Sequence, residues 1–311
     1  MSEATGAGRY APSPSGELHL GNLRTALLAW AYARKAGLRF LLRIEDLDER
    51  SRPEHEARQL RDLGALGIEW DGEPVRQSQR RELYADIFAD MRQRGLLYEC
   101  YCTRRELAEV ASAPHRPPGS YPGTCRDLTK LQREAGRAKL AGTGRGPAYR
   151  LRSSVTQLTV TDANYGDYCG AVDDLVLMRG DGVYSYNFVS VVDDAEMGVA
   201  QIVRGDDLLP STPRQVYLQQ LLGYGAPEYR HVPLVLNARG VRLAKRDGAV
   251  TMAALAAERG WGAADVVTLL AGSLGYTGVR SAVDFLAAFD PGRLAGPDPQ
   301  AREPWRWNSS N

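Results

Sequence analysis

Apolar and polar residues follow two different periods along the first hundred positions, which predicts strands and helices in turn. Apolar residues recur at helical spacing in segments 22–35, 54–63 and 79–94, and a glycine closely follows each of them. Short apolar runs at 8–13 and 40–44 predict strands. Because strands that alternate with helices are typical of parallel sheets, the pattern predicts an α/β fold with a doubly wound, Rossmann-like sheet.

Residues 100–150 interrupt this alternation with a cysteine cluster, a proline-rich stretch and a glycine-rich stretch. The alternation resumes downstream, in segments 183–194, 199–203, 212–222 (a helix) and 232–236, before mostly helical segments at 253–276 and 281–289. We therefore predict a core of two parts, an insertion, and a short helical C-terminal region with a tail. The predicted ranges are 1–99 and 183–250 for the core, 100–182 for the inserted module, and 251–311 for the C-terminal region.

The composition is that of a globular protein, since 43% of the residues are hydrophobic and 25% are charged. No apolar run approaches the roughly 20 residues that span a bilayer, and the first residues lack the features of a secretory signal. The sequence therefore predicts a cytoplasmic protein that does not bind membranes. We also expect a monomer.

Charge is distributed unevenly, although 39 basic and 38 acidic residues nearly cancel. Residues 104–152 carry 11 basic and 4 acidic side chains, whereas residues 153–210 carry 2 basic and 10 acidic ones. Because a polyanion responds to the local field, the basic segment could contact a nucleic-acid backbone. Charge alone favours the simpler alternative, a solvated region with arginine-rich helix faces.

The string from Pro12 to Asn22, PSPSGELHLGN, leads from a predicted strand through a turn into a predicted helix. Unpaired N–H groups and the dipole at a helix N-terminus favour an anion such as phosphate. His19 can donate to a phosphate oxygen, and Gly21 permits a close approach to the backbone. For a bare HxG, a turn with a histidine at the helix start would be the better interpretation, but the longer string favours a phosphate site.

Together with LLRIEDLDERSRP, this string resembles the catalytic core of the class I glutamyl-tRNA synthetases, in which HLGN would be the first signature motif. Residues 242–249, RLAKRDGA, resemble the lysine-rich second motif, with Arg242 in place of its first lysine. The resemblance implies ATP, with Mg²⁺, as a substrate. Six residues would bind it: Pro12, His19, Gly21, Asn22, Arg242 and Lys245. His19 and Lys245 would act catalytically by stabilising charge on the phosphates.

A glutamate substrate presents one ammonium group and two carboxylates, so its site requires an acid and at least one arginine. Glu45 follows a predicted strand, where open α/β sheets place ligands. The resemblance implies a glutamate pocket formed by Arg9, Tyr10, Ala11, Pro12, Ser13, Glu45, Tyr186 and Arg204. The structural alternatives are a surface Glu45 paired with Arg43 or Arg50, and an Arg204 paired with Asp206.

Three of the four cysteines lie within 26 residues of one another: Cys100, Cys102 and Cys125. Zinc prefers four ligands and soft thiolates, so this cluster predicts one structural Zn²⁺ with a fourth ligand from elsewhere. Composition alone favours His115, whereas Cys-x-Cys…Tyr-x3-Cys resembles the zinc site of one branch of the family and implies Tyr121. Reduced cysteines without metal are the alternative. Cys169 stands alone and is expected to be an inert core residue. His55 and His231 have no partner visible in the sequence and are assigned structural roles.

The resemblance covers residues 8–276, and the roughly 35 residues that follow are too few for a helical anticodon-binding domain. A shortened branch of the family transfers glutamate to the queuosine base in the anticodon of tRNA(Asp). The resemblance therefore implies three partners: L-glutamate, ATP and tRNA(Asp) carrying queuosine. The alternatives are an enzyme that charges tRNA(Glu), a small-molecule adenylate-forming ligase and a non-catalytic tRNA-binding protein.

Overall fold

The computed structural model describes residues 6–103, 105–107, 121–241, 243, 250–296 and 299–308. Its strands are β1 (Ala7–Tyr10), β2 (Arg39–Ile44), β3 (Val75–Arg76), β4 (Leu97–Cys100), β5 (Ala148–Leu151), β6 (Gln157–Asp162), β7 (Gly166–Ala171), β8 (Val176–Met178), β9 (Val199–Gly205), β10 (Glu228–Val232), β11 (Val235–Leu236) and β12 (Trp305–Arg306). Its α-helices are α1 (Leu20–Lys35), α2 (Pro53–Ala65), α3 (Arg81–Gln93), α4 (Lys130–Leu140), α5 (Tyr186–Glu196), α6 (Thr212–Leu222), α7 (Met252–Arg259), α8 (Ala263–Gly272) and α9 (Ala282–Ala288).

Seven strands form one sheet in the order β3-β2-β1-β9-β10-β6-β7. All neighbours are parallel except β6 and β7, which pair antiparallel at one edge. Helices cover both faces. In β9, Val203 packs in the cluster that contains α1, whereas the adjacent Ile202 packs with Val216 of α6. The predicted α/β, Rossmann-like fold is therefore confirmed as a mixed sheet dominated by parallel strands.

The contact between β1 and α1 is unusually close and fixes the centre of the sheet. A Cβ atom built on Gly8 would lie 2.6 Å from Cβ of Ala33. Only glycine therefore fits at this strand position without moving the helix. Most of α1 is buried, and the chain leaves the helix through Gly37, whose φ is +68°. This close contact therefore fixes the position of α1 relative to β1, the strand that leads into the PSPSGELHLGN turn.

Most predicted elements are present, with shifts that have local causes. The first strand ends at Tyr10 rather than at position 13, because Pro12 cannot donate a ladder hydrogen bond. The segment predicted at 232–236 is two strands, β10 and β11, separated by Pro233. The helix predicted at 79–94 begins as a 3-10 turn over Gln77–Arg80 and continues as α3.

The region predicted as an insertion contributes to two sheets. Strands β4, β5 and β8 form a separate antiparallel sheet, and the exposed helix α4 lies between β4 and β5 in the chain. Strands β6 and β7 instead join the large sheet, through the pairing of Asp162 with Tyr229 of β10. The domain boundaries at residues 100 and 182 remain predictions. Within these bounds, β6 and β7 belong to the large sheet and not to the separate antiparallel sheet.

Close to the C-terminus, β12 pairs with β11, and Trp307 is buried in the main hydrophobic cluster. These contacts attach the C-terminal tail to the body of the fold. None of the helices in the described part of the chain has both the length and the apolarity to cross a membrane.

Candidate functional site

A cavity of about 380 Å³ opens where β1, β2 and β9 end. Most of the residues predicted from the resemblance line it: Tyr10, Ala11, Pro12, Ser13, His19, Gly21, Asn22, Glu45, Tyr186 and Arg204. The lining therefore combines the predicted glutamate and ATP residues in one space. It lies at the carboxyl ends of parallel strands, where open α/β sheets bind ligands.

Arg204 supplies a buried cation to this cavity, since only 5% of its side chain is exposed. Its Nε donates to Nε2 of His231 at 3.0 Å, and its two Nη atoms donate to Oε1 of Gln215 at 2.6 Å and to Oγ1 of Thr212 at 2.9 Å. A guanidinium has five N–H donors, so these three bonds leave two for a ligand. Arg204 is therefore held by His231, Gln215 and Thr212. These hydrogen bonds do not involve Asp206, which the structural alternative names as its partner.

Glu45 supplies the opposite charge and lies beside Tyr186 in the cavity lining. Its side chain is 14% exposed, and its Oε1 accepts from Nη2 of Arg43 at 3.0 Å and from Oγ of Ser190 at 3.4 Å. Burial raises the pKa of Glu45, and the adjacent Arg43 opposes that rise. The Arg43 pairing of the structural alternative is therefore present, but the carboxylate still faces the cavity and does not lie on the open surface.

Arg9 does not line this cavity. It is 5% exposed, and its Nε donates to Oδ1 of Asp194 at 3.1 Å, which also accepts from Nη1 of Arg43 at 2.5 Å. The structure thus places Arg9 in the wall behind the site, in a buried network that supports Glu45 through Arg43. A direct contact between Arg9 and glutamate remains a prediction.

His19 caps the N-terminus of α1. Its Nδ1 accepts from the backbone N–H groups of Gly21 at 3.1 Å and Asn22 at 3.3 Å, while Oδ1 of Asn22 accepts from the N–H of His19 at 3.2 Å. The neutral ring therefore carries its proton on Nε2. A second cavity of about 390 Å³ adjoins this cap and is lined by Pro12, Ser13, Ser15, Gly16, Glu17, Leu18, His19, Asn22, Gln59 and Leu243.

Arg242, Lys245 and His115, all named in the predictions, lie outside the described residues. Leu243 within the second motif and Val250 directly after it are described, and both lie close to the first motif. Leu243 is buried and lines the second cavity, and the carbonyl of Val250 accepts from the N–H of Leu20 at 3.0 Å. An isolated bridge between His19 and Thr251 adds to this contact.

The cysteine cluster forms a separate candidate metal centre between β4 and the start of α4. The Sγ atoms of Cys100, Cys102 and Cys125 all lie within 4.8 Å of one another. Thiolates about 2.3 Å from a tetrahedral zinc ion lie roughly 3.8 Å apart, so the donor set fits zinc. Oη of Tyr121 lies 3.4 Å from Sγ of Cys100 and 3.8 Å from Sγ of Cys102. A hydrogen bond from Cys125 lowers the pKa of Cys100 and thereby favours its thiolate, while the same bond raises the pKa of Cys125 and burial raises that of Cys102.

The sequence offered Arg43 as a partner of Glu45, but it did not reveal the side chains that hold Arg204 in place. His231 is the register partner of Arg204 across β9 and β10, and Thr212 and Gln215 come from the first turns of α6. Only the order and register of the strands bring them together. The lining residues missed by sequence reasoning are Thr25, Gly205, Asp207, Leu208, Leu234 and Val235. The signal that could have found three of them, Gly205, Asp207 and Leu208, is the run GDDL directly after Arg204.

Comparison with known proteins agrees with this geometry. The family described as tRNA synthetases class I (E and Q), catalytic domain, matches residues 7–285. A protein of Nocardia farcinica named glutamyl-Q tRNA(Asp) synthetase is 58% identical over 300 residues, which are 96% of this chain and 92% of that protein. One of the same name from Symbiobacterium thermophilum is 48% identical over 265 residues, covering 80% of this chain and 81% of that protein. The crystal structure of a glutamate tRNA ligase from Elizabethkingia meningosepticum in complex with its amino acid superposes with a TM-score of 0.77 at 25% identity, covering 98% and 68% of the two chains.

Proposed function

The chain belongs to the family of class I glutamyl and glutaminyl tRNA synthetase catalytic domains, and from this we propose that it activates L-glutamate with ATP and transfers it to queuosine in tRNA(Asp). The observation that carries the proposal is one cavity that is lined by Arg204, by Glu45 and by the capped N-terminus of α1. Proteins that are 58% and 48% identical bear the name of this activity. We include in the proposal a cytoplasmic location.

Glutamate fits the cavity through its charges. The side-chain carboxylate would lie against the two remaining N–H groups of Arg204, with Tyr186 beside it, and the ammonium group against Glu45. Arg204 is held by neutral groups, so a carboxylate can pair with it without displacing an internal acid. Tyr10 to Ser13 form the turn between these two charges, and the N–H of Glu45 donates to the carbonyl of Pro12 at 2.9 Å. This bond ties the acidic residue to the turn that carries the nucleotide residues.

ATP would lie across the N-terminus of α1. The dipole of this helix favours the phosphates, and Nε2 of His19 carries a proton that it can donate, because Nδ1 of the same ring already accepts from the N–H groups of Gly21 and Asn22. A Cβ atom on Gly21 would lie 3.0 Å from Cε1 of His19, so a larger residue would disturb the cap. Arg242 and Lys245 are proposed to reach the same phosphates. The proposal is supported by Leu243 of the same motif and by Val250 directly after it, which both lie beside the first motif.

The first step forms a mixed anhydride. The α-carboxylate oxygen of glutamate attacks the α-phosphorus of ATP, the bond to the β-phosphate oxygen breaks, and pyrophosphate leaves. His19, the helix N-terminus and Lys245 stabilise the negative charge that develops on the phosphates. Mg²⁺, where bound with ATP, neutralises phosphate charge. In the second step a hydroxyl of queuosine attacks the acyl carbon, loses its proton, and AMP leaves as the acyl bond to phosphate breaks.

A structural zinc ion is proposed at Cys100, Cys102, Cys125 and Tyr121. When bound, the ion would join β4 to the segment before α4. The protein supports this arrangement without metal through Arg150, whose Cζ lies 3.5 Å from the centroid of the Tyr121 ring. Tyr121 is also held by its backbone N–H, which donates to Oδ2 of Asp173 at 2.7 Å. These contacts aim the hydroxyl of Tyr121 at the three thiols.

The basic segment 104–152 is proposed to contact the tRNA backbone. Several of its cations are already paired, for example Arg126 with Asp174 and Arg137 with Glu99. Lys130 and Arg133 are exposed on α4, which buries none of its side chains. A polyanion would gain most from such exposed charges, because it need not break a buried ion pair to reach them.

Transfer of radiolabelled glutamate tests the function directly. Purified protein, ATP and Mg²⁺ are incubated with tRNA(Asp) carrying queuosine, with tRNA(Asp) lacking it, and with tRNA(Glu). We expect label only on the first. Label on tRNA(Glu) at its 3′ end would show an enzyme that charges tRNA instead. Glutamate-dependent pyrophosphate exchange without label on any tRNA would indicate a small-molecule ligase, and absence of exchange would reject the proposal.

A further inference from the structure

Two buried residues behind Arg204 form a chain of hydrogen bonds that reaches the cavity only through that arginine. His231 and Asp162 are 0% and 2% exposed. Nε2 of His231 lies 3.0 Å from Nε of Arg204, and Nδ1 of His231 lies 2.6 Å from Oδ2 of Asp162. The three residues come from the ends of the adjacent strands β9, β10 and β6.

The directions of these hydrogen bonds define the protonation state of His231. Nε of Arg204 always carries a hydrogen, so Nε2 of His231 must accept. The imidazole is therefore neutral, with its proton on Nδ1, which donates to Asp162. Asp162 is itself fixed by three backbone N–H groups. Oδ2 accepts from that of His231 at 3.0 Å, and Oδ1 accepts from those of Asn164 at 3.0 Å and Tyr165 at 2.9 Å.

The arrangement has a consequence for charge. A buried cation without a countercharge is costly, but an acid paired directly with Arg204 would occupy the N–H groups that a ligand needs. Here the countercharge of Asp162 lies one imidazole ring away and approaches the guanidinium only from its Nε side. The Nη side, held by Gln215 and Thr212, keeps its two remaining N–H groups for the cavity.

We propose that Asp162 and His231 are positioning residues that set the affinity for the glutamate side chain, by fixing the plane of the Arg204 guanidinium while leaving its outer N–H groups available. The inference rests on the proposed function in one respect, that Arg204 binds the side-chain carboxylate. It assigns His231 a role beyond that of a buried structural histidine. Its stacking on Tyr229, with ring centroids 6.2 Å apart and 7° between the planes, keeps the imidazole in the required orientation.

The test is a comparison of His231→Phe and His231→Gln in glutamate-dependent pyrophosphate exchange. Phenylalanine keeps a flat ring on Tyr229 but has no acceptor for Arg204. Glutamine can accept from Arg204 with its carbonyl and donate to Asp162 with its amide nitrogen. We expect His231→Phe to raise the KM for glutamate by about tenfold or more, the loss of one charge-assisted hydrogen bond, with the KM for ATP within about twofold of wild type. His231→Gln should recover most of the glutamate affinity.

The matched control is His55→Gln, at a half-buried histidine outside both cavities, which should leave both KM values unchanged. A folded His231→Phe variant with wild-type KM for glutamate, an equal rise in both KM values, or failure of glutamine to rescue would each overturn the inference. If the phenylalanine variant does not fold, nitrogen NMR of the His231 imidazole in the wild-type protein tests the inference instead. A neutral ring protonated on Nδ1 supports the proposal, and one protonated on Nε2 contradicts it. Wild-type protein without pyrophosphate exchange activity would instead reject the proposed function. The NMR measurement does not depend on that activity, so the two failures can be distinguished.

Discussion

At the scale of single residues, the sequence identified the charges of the site and one partner of Glu45, Arg43, but not the residues that hold Arg204. Glu45, Tyr186 and Arg204 were predicted from resemblance, and the structure brings them to one cavity. The residues that hold Arg204 come from sequence positions that no spacing rule connects to it. Arg43 reaches Glu45 from the same strand, but His231 reaches Arg204 only because β9 and β10 are neighbours in register. Partners across a parallel sheet depend on topology, and the sequence alone did not specify the strand order.

Substitution of Arg204 gives the simplest prediction at this scale. Arg204→Ala should raise the KM for glutamate in pyrophosphate exchange by about 100-fold or more, because the cavity loses its proposed partner for the side-chain carboxylate. Arg204→Lys should be intermediate, since an ammonium keeps the charge but cannot donate to His231, Gln215 and Thr212 together. Steady-state kinetics with glutamate and with ATP as the varied substrate measure both effects. An unchanged KM for glutamate in the alanine variant would contradict the assignment.

Stability should depend on pH through His231. Burial lowers the pKa of His231 below its ordinary value of 6.5, and Arg204 lowers it further, while Asp162 and Asp206 oppose the shift. Below about pH 6.5 the unfolded chain therefore binds a proton that the folded chain does not, so this contribution to the free energy of unfolding is present above pH 6.5 and is lost as the pH falls below it.

Urea unfolding of wild type and His231→Gln between pH 7.5 and pH 5 measures this effect. We expect the wild type to lose more stability than the variant over that range. Parallel losses in the two proteins would show that His231 does not carry the proton linkage.

At the scale of elements, helices were predicted better than strands. Helices α1 and α6 are bounded by strong local signals, such as Gly37 and Gly223, which both adopt positive φ. The short strands β3, β4, β5, β8 and β12 were not predicted, because two to four residues are too few to show a period. Strands β6 and β7 were not predicted either. They lie in the segment predicted as an insertion, and β6 pairs with β10 of the large sheet through a single registered pair.

The packing of α1 on β1 can be tested at Gly8. Gly8→Ala places a methyl group 2.6 Å from Cβ of Ala33, and we expect a loss of about 1–3 kcal/mol in the free energy of unfolding. The matched control is Gly64→Ala in α2, where an added Cβ meets nothing within 4 Å. That change should be neutral or stabilise by up to about 1 kcal/mol. Denaturant melts of both variants give the comparison, and equal effects would show that α1 can shift at little cost.

The metal centre is tested by its ligands. Wild type should carry about one zinc ion per chain, and Cys102→Ala should lose it. Cys169→Ala is the control and should retain it. The prediction of a core position for Cys169 was wrong, because its side chain is exposed on the edge strand β7. Tyr121→Phe should weaken zinc binding if the phenol is the fourth ligand, whereas His115→Ala should do so if the imidazole is. Metal analysis after dialysis measures all four variants, and a folded wild type without metal would reject the site.

At the scale of the whole molecule, the net charge of +1 conceals a separation that the structure preserves. The acidic stretch after residue 153 supplies many partners within the fold, including Asp174 for Arg126, Asp193 for Arg80 and Asp194 for Arg9. Much of the apparent acidity is thus internal. The basic surplus is partly exposed on α4. The sequence could show the segregation of charge, but not which charges are consumed by folding, because that depends on burial.

Charge reversal on α4 tests the tRNA surface. Lys130→Glu with Arg133→Glu should weaken binding of tRNA(Asp), and the magnitude of the slope of log K against log salt should fall by about 0.7–0.9 for each phosphate that the variant no longer neutralises. Folding should be unaffected, since α4 has no buried side chain. Arg280→Glu, an exposed charge in the C-terminal region, is the control and should leave the slope unchanged. Equal affinity and slope in the α4 variant would remove this surface from the interface.

The position of β1 in the sheet also determines when the site can form during synthesis. Ala7 pairs on one side with Arg39, but on the other side with Val199 of β9. At roughly 5–20 residues per second, translation takes on the order of 10–40 s to reach β9 after β1 has been made. During this interval one edge of the central strand has no partner from its own chain. The nascent protein must therefore protect an open strand edge, and the arginine of the cavity arrives only with the strand that closes it.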